Sequence, residues 1–210
     1  LNTLDKTMTT IVFDGIILAA DSQRNRTHDS DSFEGQHCRE CSAPVKRTAG
    51  FVEKLFVPKK KTMFLGERII ALASYGSVAI TSGLKDAILT GIDPEEASRI
   101  YASFSASGRV FRSGGVLILT KNHLWQAYLG QEGYELTGIT KFPHVVGSGS
   151  PYARTALEFV SPCAIEAVAV ASHFDRATGG DIRSITRKKG AEVKITKVTQ
   201  GMLDELKLRG

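Results

Sequence analysis

Residues 6–22 read KTMTTIVFDGIILAADS, and the fold turns on this stretch. Two short apolar runs, TTIVF at 9–13 and IILAAD at 16–21, flank Asp14-Gly15. An Asp-Gly pair between two such runs predicts a β-hairpin with a type I′ turn, because glycine tolerates the positive φ that a tight turn demands. The first methionine of the chain is Met8. With Met8 as initiator, its removal leaves Thr9 at the N-terminus with a free α-amine. That amine titrates near ~7.7–8.0, far closer to neutrality than a lysine side chain. A threonine so exposed carries both a hydroxyl nucleophile and its own base.

The rest of the chain bounds what such a device can belong to. With 210 residues, 42% of them hydrophobic, it is long enough for one domain with a substantial core. No run approaches the ~18 apolar residues of a membrane helix, and LNTLDKTM lacks a secretory apolar stretch. Three cysteines, an odd number, argue against a disulfide scaffold and for a reducing cytoplasm. The formal charge of +5 is spread along the chain, apart from Lys59-Lys60-Lys61 and Arg187-Lys188-Lys189. Such short runs read as solvated edges, so neither nucleic acid nor a membrane is expected as a partner.

Residues 1–8 are expected to be a propeptide, an upstream extension or a cloning remnant, and residues 9–210 a single domain. Within it, 22–53 is polar and aperiodic, a long surface excursion. Strands are predicted at KLFVP (54–58), TMFL (62–65) and RIIALAS (68–74), and a helix over 78–91. Asp93-Pro94-Glu95-Glu96 is a strong helix start, with an N-cap, a proline at the first turn and a capping glutamate. GVLILT (115–120), HLWQAYL (123–129) and YELTGI (134–139) read as an antiparallel meander in which Trp125 and Tyr128 serve the core or a subunit contact. A short strand from His144 precedes helices entered at Ser150-Pro151 and Ser161-Pro162; DIRSITR and EVKITKV close the strands, and Thr199 caps a last helix. Segregated runs of strands and helices indicate an α+β fold with helices outside stacked sheets.

Five separated stretches share one resemblance: MTTIV with DGIILAADS, KLF at 54–56, GSGSPYA at 147–153 and DRATGG at 175–180. Together they resemble proteasome β-type subunits and the peptidase of the bacterial two-component ATP-dependent protease. The nearest likeness is to short bacterial and phage proteasome-like proteins that open MTTIA-x-DG. The resemblance covers about residues 9–197 and implies a four-layer αββα sandwich of N-terminal-nucleophile hydrolases in a ring of identical subunits. It implies Thr9 as nucleophile, with Asp21 pairing and aiming Lys54. Ser148, Asp175 and Thr178 fall where the family has a serine, an aspartate and a serine that support the amine. The family's Ala-Gly-Gly falls on Ser74-Tyr75-Gly76, which assigns the oxyanion donor to the backbone N–H near Tyr75. Lys54 as a nearby cation would lower the amine's pKa. One oxyanion donor is worth roughly 3 kcal/mol. The implied substrate is a peptide or unfolded protein, delivered in some relatives by an ATPase unfoldase, and no cofactor is called for.

Three other readings stay open on the residues. An amidohydrolase for small amides would use the same chemistry. A structural or gating subunit would retain residues 1–8 and so block the amine, although it has no need for the acid, lysine and hydroxyls together. A zinc-linked module would use Cys38 and Cys41, with His37 or else His28 as a third ligand; Cys-x2-Cys is half of a zinc knuckle, and no second pair exists in the chain.

Overall fold

The computed structural model of the chain describes residues 9–25, 49–51, 54–93, 113–175, 178–188 and 192–207. Residues 1–8, the helix start at Pro94 and the His37-Cys38-Cys41 cluster lie outside the described residues. One sheet has the order β11 (His144–Gly147), β1 (Thr10–Phe13), β2 (Ile17–Ala20), β12 (Ile182–Thr186) and β13 (Lys194–Thr196). The other runs β10 (Gly133–Ile139), β9 (Leu124–Gly130), β8 (Gly114–Thr120), β7 (Glu67–Gly76) and β5 (Leu55–Phe56), with β6 (Met63–Phe64) also on β7. All of these pairings are antiparallel. The described helices are α1 (Val78–Thr90), α2 (Ser150–Phe159), α3 (Ala164–Phe174) and α4 (Gln200–Lys207).

Strand alternation sorts the apolar side chains into three layers of core. Ile11, Phe13, Leu18 and Ala20 from one sheet meet Leu55, Ala71, Ala73, Leu117 and Leu119 from the other, which defines a two-sheet sandwich. The intervening residues face outward: Val12 and Ala19 pack with the α2 and α3 alanines, and Leu72, Val116 and Ile118 pack with Ile80, Leu84 and Ile88 of α1. Because both faces of β1 and β8 are covered, TIVF and GVLILT are continuous apolar runs and not alternating ones. Alanines at 153, 156, 164, 167, 169 and 171 keep the α2–α3 layer close to its sheet.

The opening hairpin forms, but its turn differs from the expected type. Asp14 N–H donates to the Ile17 carbonyl at 3.3 Å, so Gly15 and Ile16 are the central pair, and of these only Gly15 has positive φ, at 103°. A single positive φ at the first central position belongs to a type II′ turn, which demands glycine there and leaves Ile16 in ordinary space. Asp14 then serves two elements. Its Oδ1 accepts the Ile16 and Ile17 N–H groups at 2.8 and 2.7 Å, and its Oδ2 accepts that of Ala164 at 3.0 Å, at the start of α3. The 22–53 excursion is pinned at its ends, where β3 (Gln23–Asn25) pairs antiparallel with β4 (Ala49–Phe51).

Glu67, opening β7, clamps the β8–β9 turn. It accepts the Thr120 hydroxyl, the Asn122 side-chain amide at 2.8 Å and a contact from His123 at 3.1 Å. The Thr120 hydroxyl first, then Asn122, hold its carboxyl down to about 2 from an ordinary 4.5. A carboxyl depressed in the folded state contributes stability that is present above 4.5 and lost as pH falls toward 2. Glu67→Gln is therefore expected to flatten the stability loss between pH 4.5 and 2 relative to the parent chain, as read by acid titration of the circular dichroism signal.

Candidate active site

The hairpin returns Asp21 to the place where β1 begins. Thr10 N–H donates to Asp21 Oδ1 at 2.8 Å, and Asp21 N–H donates back to the Thr10 carbonyl at 3.2 Å. From the other sheet, Lys54 directly precedes β5, and its carbonyl accepts the Ser74 N–H of β7 at 2.8 Å. Its ammonium donates to Asp21 Oδ2 at 2.8 Å. The Gly179 N–H reaches the same oxygen at 3.3 Å. The pair is deeply buried, with Asp21 1% and Lys54 6% exposed. Burial pushes the Asp21 carboxyl up and the Lys54 ammonium down, and each partner's charge opposes the shift. The Asp175 charge adds to Asp21 in favouring protonated Lys54.

A second cluster lies alongside. Asp175 ends α3, its N–H donating to the Ala171 carbonyl at 2.8 Å. Its Oδ2 accepts the Ser148 hydroxyl at 2.9 Å and the Thr178 hydroxyl at 2.8 Å. Thr178 has spent its single proton on Asp175, so in the 2.7 Å contact between the two threonine hydroxyls Thr10 is the donor. Thr10 thus joins both clusters, through its amide to Asp21 and through its hydroxyl to Thr178. Thr9, 2% exposed, sits one residue before β1.

Two glycines make room for this arrangement. A Cβ on Gly147, whose φ is +101°, would overlap the Thr9 carbonyl oxygen. A Cβ on Gly149 would overlap the Thr10 hydroxyl and lie 2.8 Å from that of Thr178. The GSGS turn is therefore glycine-rich because backbone and hydroxyls pass through the space where side chains would stand.

Tyr75, near the end of β7, directs its side chain between the sheets toward β9. It stands opposite Gly115, and a Cβ there would overlap its phenol. The phenol oxygen accepts the Gln126 amide N–H at 2.7 Å, and Gln126 Oε1 meets His144 Nε2 at 3.0 Å. Since the amide oxygen only accepts, His144 carries its proton on Nε2. Burial, then the nearby Arg154 charge, pushes His144 down and favours its neutral form. Burial pushes the Tyr75 phenol up. The Tyr75 ring stacks on Tyr128 at 6.5 Å with 13° between planes. Alternation along β9 sends Trp125 and Ala127 to the α1 face and Gln126 and Tyr128 to the cleft.

The structure thus brings Asp21, Lys54, Ser148, Asp175 and Thr178 into adjoining clusters, sets Thr9 at their edge, and places Tyr75 across the cleft. Sequence reasoning passed over Thr10, Gln126 and His144. Thr10 was detectable only as a second hydroxyl beside Thr9, and the Gln126–His144 contact joins strands of different sheets with no local signal. Among the described residues no His, Cys, Asp and Glu group is arranged to hold a metal ion, and no helix is long and apolar enough to cross a membrane.

The fold is that of the Anbu proteins, which one solved relative describes as an ancestral β-subunit. Anbu from Hyphomicrobium sp. strain MC1 superposes with a TM-score of 0.58 at 14% identity, over 94% of this chain and 91% of that one. The helical assembly of the Anbu complex from Pseudomonas aeruginosa gives 0.61 at 14%, over 95% and 92%. Anbu, ancestral β-subunit, from Yersinia bercovieri gives 0.58 at 13%, over 95% and 92%. No protein-family model and no curated protein matches the sequence. These neighbours correct the kinship expected from the sequence, which favoured the short phage-type proteins. The shared motifs are short segments, whereas the backbone path agrees with Anbu over nearly the whole of both chains.

Proposed function

We propose that this chain is a threonine-type N-terminal-nucleophile hydrolase, with the αββα layering of that class, and that it cleaves peptide bonds in an assembly of identical subunits in the cytoplasm. The carrying observation is the buried Lys54–Asp21 pair bonded to the Thr10 amide, one residue from Thr9. A buried lysine held against an acid costs desolvation that a structural role repays poorly. At a nucleophile's side it supplies a fixed cation. The Anbu fold and the helical assembly of the Anbu complex from Pseudomonas aeruginosa support the subunit reading.

In this mechanism the bond preceding Thr9 is cut and the α-amine is freed. Strand alternation, continued back from Ile11, turns the Thr9 side chain toward the space between the sheets. Lys54 lowers the amine's affinity for a proton, so the neutral amine takes the proton of the Thr9 hydroxyl. The alkoxide attacks the substrate carbonyl, and the tetrahedral oxyanion forms against the backbone N–H near Tyr75. Collapse breaks the C–N bond, the leaving amine takes the proton held by the α-ammonium, and an ester remains on Thr9. Water, deprotonated by the same amine, hydrolyses the ester and restores the hydroxyl. Ser148, Asp175 and Thr178 hold the amine and the water; Asp21 keeps Lys54 charged and aimed. The substrate class is an unfolded polypeptide, with an ATPase unfoldase as the partner that would present it.

Intact mass of the purified full chain, with and without a peptide epoxyketone, tests this. The expected result is a species beginning at Thr9 that gains one inhibitor mass and is silent in Thr9→Ala. A stable full-length chain that never labels would overturn it and favour the structural-subunit reading.

A further inference from the structure

Beside the clusters the cleft opens into a cavity of about 480 Å³, within the range of small-ligand sites. Gly147 forms part of its wall and is the residue whose missing side chain accommodates the Thr9 carbonyl, so cavity and Thr9 share one wall. The opposite wall is built by register. Tyr75 faces Gly115 across β7–β8, Gly115 faces Tyr128 across β8–β9, and Tyr128 faces Glu135 across β9–β10. One row across the sheet therefore carries phenol, no side chain, phenol and carboxylate. The empty place at Gly115 lets the two tyrosines close to stacking distance. Gln126 and Thr137 form the adjoining cross-strand pair.

The chemistry of this row is selective. Glu135 is the single charged side chain among the described residues that line the cavity. Thr137 donates to its Oε1 at 2.9 Å, and its Oε2 has no donor among the described residues. Gln126 is held between Tyr75 and His144 and so orients the phenol. Burial raises the Tyr75 phenol, the Gln126 hydrogen bond opposes the shift, and the nearby Glu135 carboxylate adds to it. An anionic group would meet a carboxylate and no cation. A purely aliphatic group would desolvate Glu135, Thr137 and the phenols without replacing their hydrogen bonds. A guanidinium or ammonium satisfies both features, since its stem lies along aromatic faces and its head reaches a carboxylate.

We propose that this cavity takes the lysine or arginine side chain of a peptide substrate at the residue flanking the cleaved bond. The inference rests on the peptidase reading and sets its substrate class: basic segments of unfolded polypeptide. Tyr75, Tyr128 and Glu135 are then specificity residues.

Three peptide epoxyketones differing only in the residue next to the warhead, arginine, norleucine or glutamate, test it through labelling rates measured by intact mass on the full chain. Arginine is expected to label about tenfold faster than norleucine, the combined worth of one exposed ion pair and one cation–π contact, and glutamate slowest. Glu135→Gln should cut the arginine-to-norleucine ratio to about threefold, the share of the cation–π contact alone, and Glu135→Lys should put glutamate ahead of arginine. Equal rates for the three inhibitors, or an arginine preference undiminished in Glu135→Gln, would overturn the inference while leaving the peptidase intact. If nothing labels, the peptidase reading fails and the cavity is judged by binding alone. Saturation-transfer NMR should then show N-acetyl-arginine methylamide, and not its norleucine counterpart, contacting the parent chain and not Glu135→Gln. No arginine-selective signal overturns the inference.

Discussion

Lys54→Met is expected to abolish labelling of Thr9 by an N-terminal-threonine inhibitor and to destabilise the chain by about 3–5 kcal/mol, the usual cost of leaving one member of a buried ion pair unpartnered. The Asp21 carboxylate would keep the Thr10 and Gly179 N–H groups but lose the ammonium 2.8 Å away on the other sheet. The activity loss and the stability loss have separate origins, and the double variant Asp21→Asn/Lys54→Met separates them. Removing both charges takes away the desolvation that pushes Asp21 up and Lys54 down, so most of the stability should return. Labelling should not return, because the fixed cation beside the amine is still missing. Denaturant unfolding and intact-mass labelling on the single and double variants check this. A double variant that labels would remove Lys54 from the mechanism, and a single variant as stable as the parent would show that the pair is solvated.

Gly147→Ala should be nearly as damaging without touching a charged group. Its φ of +101° disfavours any side chain, and the new Cβ would overlap the backbone carbonyl of Thr9, which cannot rotate away. The conformational cost of about 1–3 kcal/mol and an overpacking cost of about 1–3 kcal/mol act together. Gly133 supplies the control: its φ is +110° with nothing within 4 Å of an added Cβ, so Gly133→Ala reports the backbone term alone. Thermal unfolding should rank Gly147→Ala well below Gly133→Ala, with labelling lost only in the former. Equal melting temperatures would show that the start of β1 yields to the intruding methyl, and Thr9 would not be held by the GSGS turn.

The architecture was legible to different depths at different places. Runs such as GVLIL (115–119) and IIALA (69–73) name their strands because they are apolar without a break, as strands covered on both faces are. Ser150-Pro151 announces α2 because proline's fixed φ suits a first helical turn. The turn at Asp14-Gly15 was readable as a turn but not as to type, since Asp14 was needed to hold the start of α3 and not to take positive φ. In the site, Asp21, Lys54, Ser148, Asp175 and Thr178 were nameable from motif residues. Thr10 was hidden because its importance lies in two bonds to groups 11 and 168 residues away. The Tyr75–Tyr128–Glu135 row was hidden for the same reason: register across four strands, through a glycine, leaves no trace in any one of them.

The pinned ends of the 22–53 excursion carry a consequence for how such chains diverge. Asp21 and Lys54 meet at 2.8 Å although 32 residues separate them in sequence, and the β3–β4 ribbon closes the intervening path near its base. Loop closure depends only logarithmically on length, so lengthening that path twofold would cost about 0.6 kcal/mol. The segment is thus an evolutionary port. Lineages can graft recognition elements there, and an experimenter can splice in an epitope tag or a fluorophore handle, without the acid and the lysine losing sight of one another.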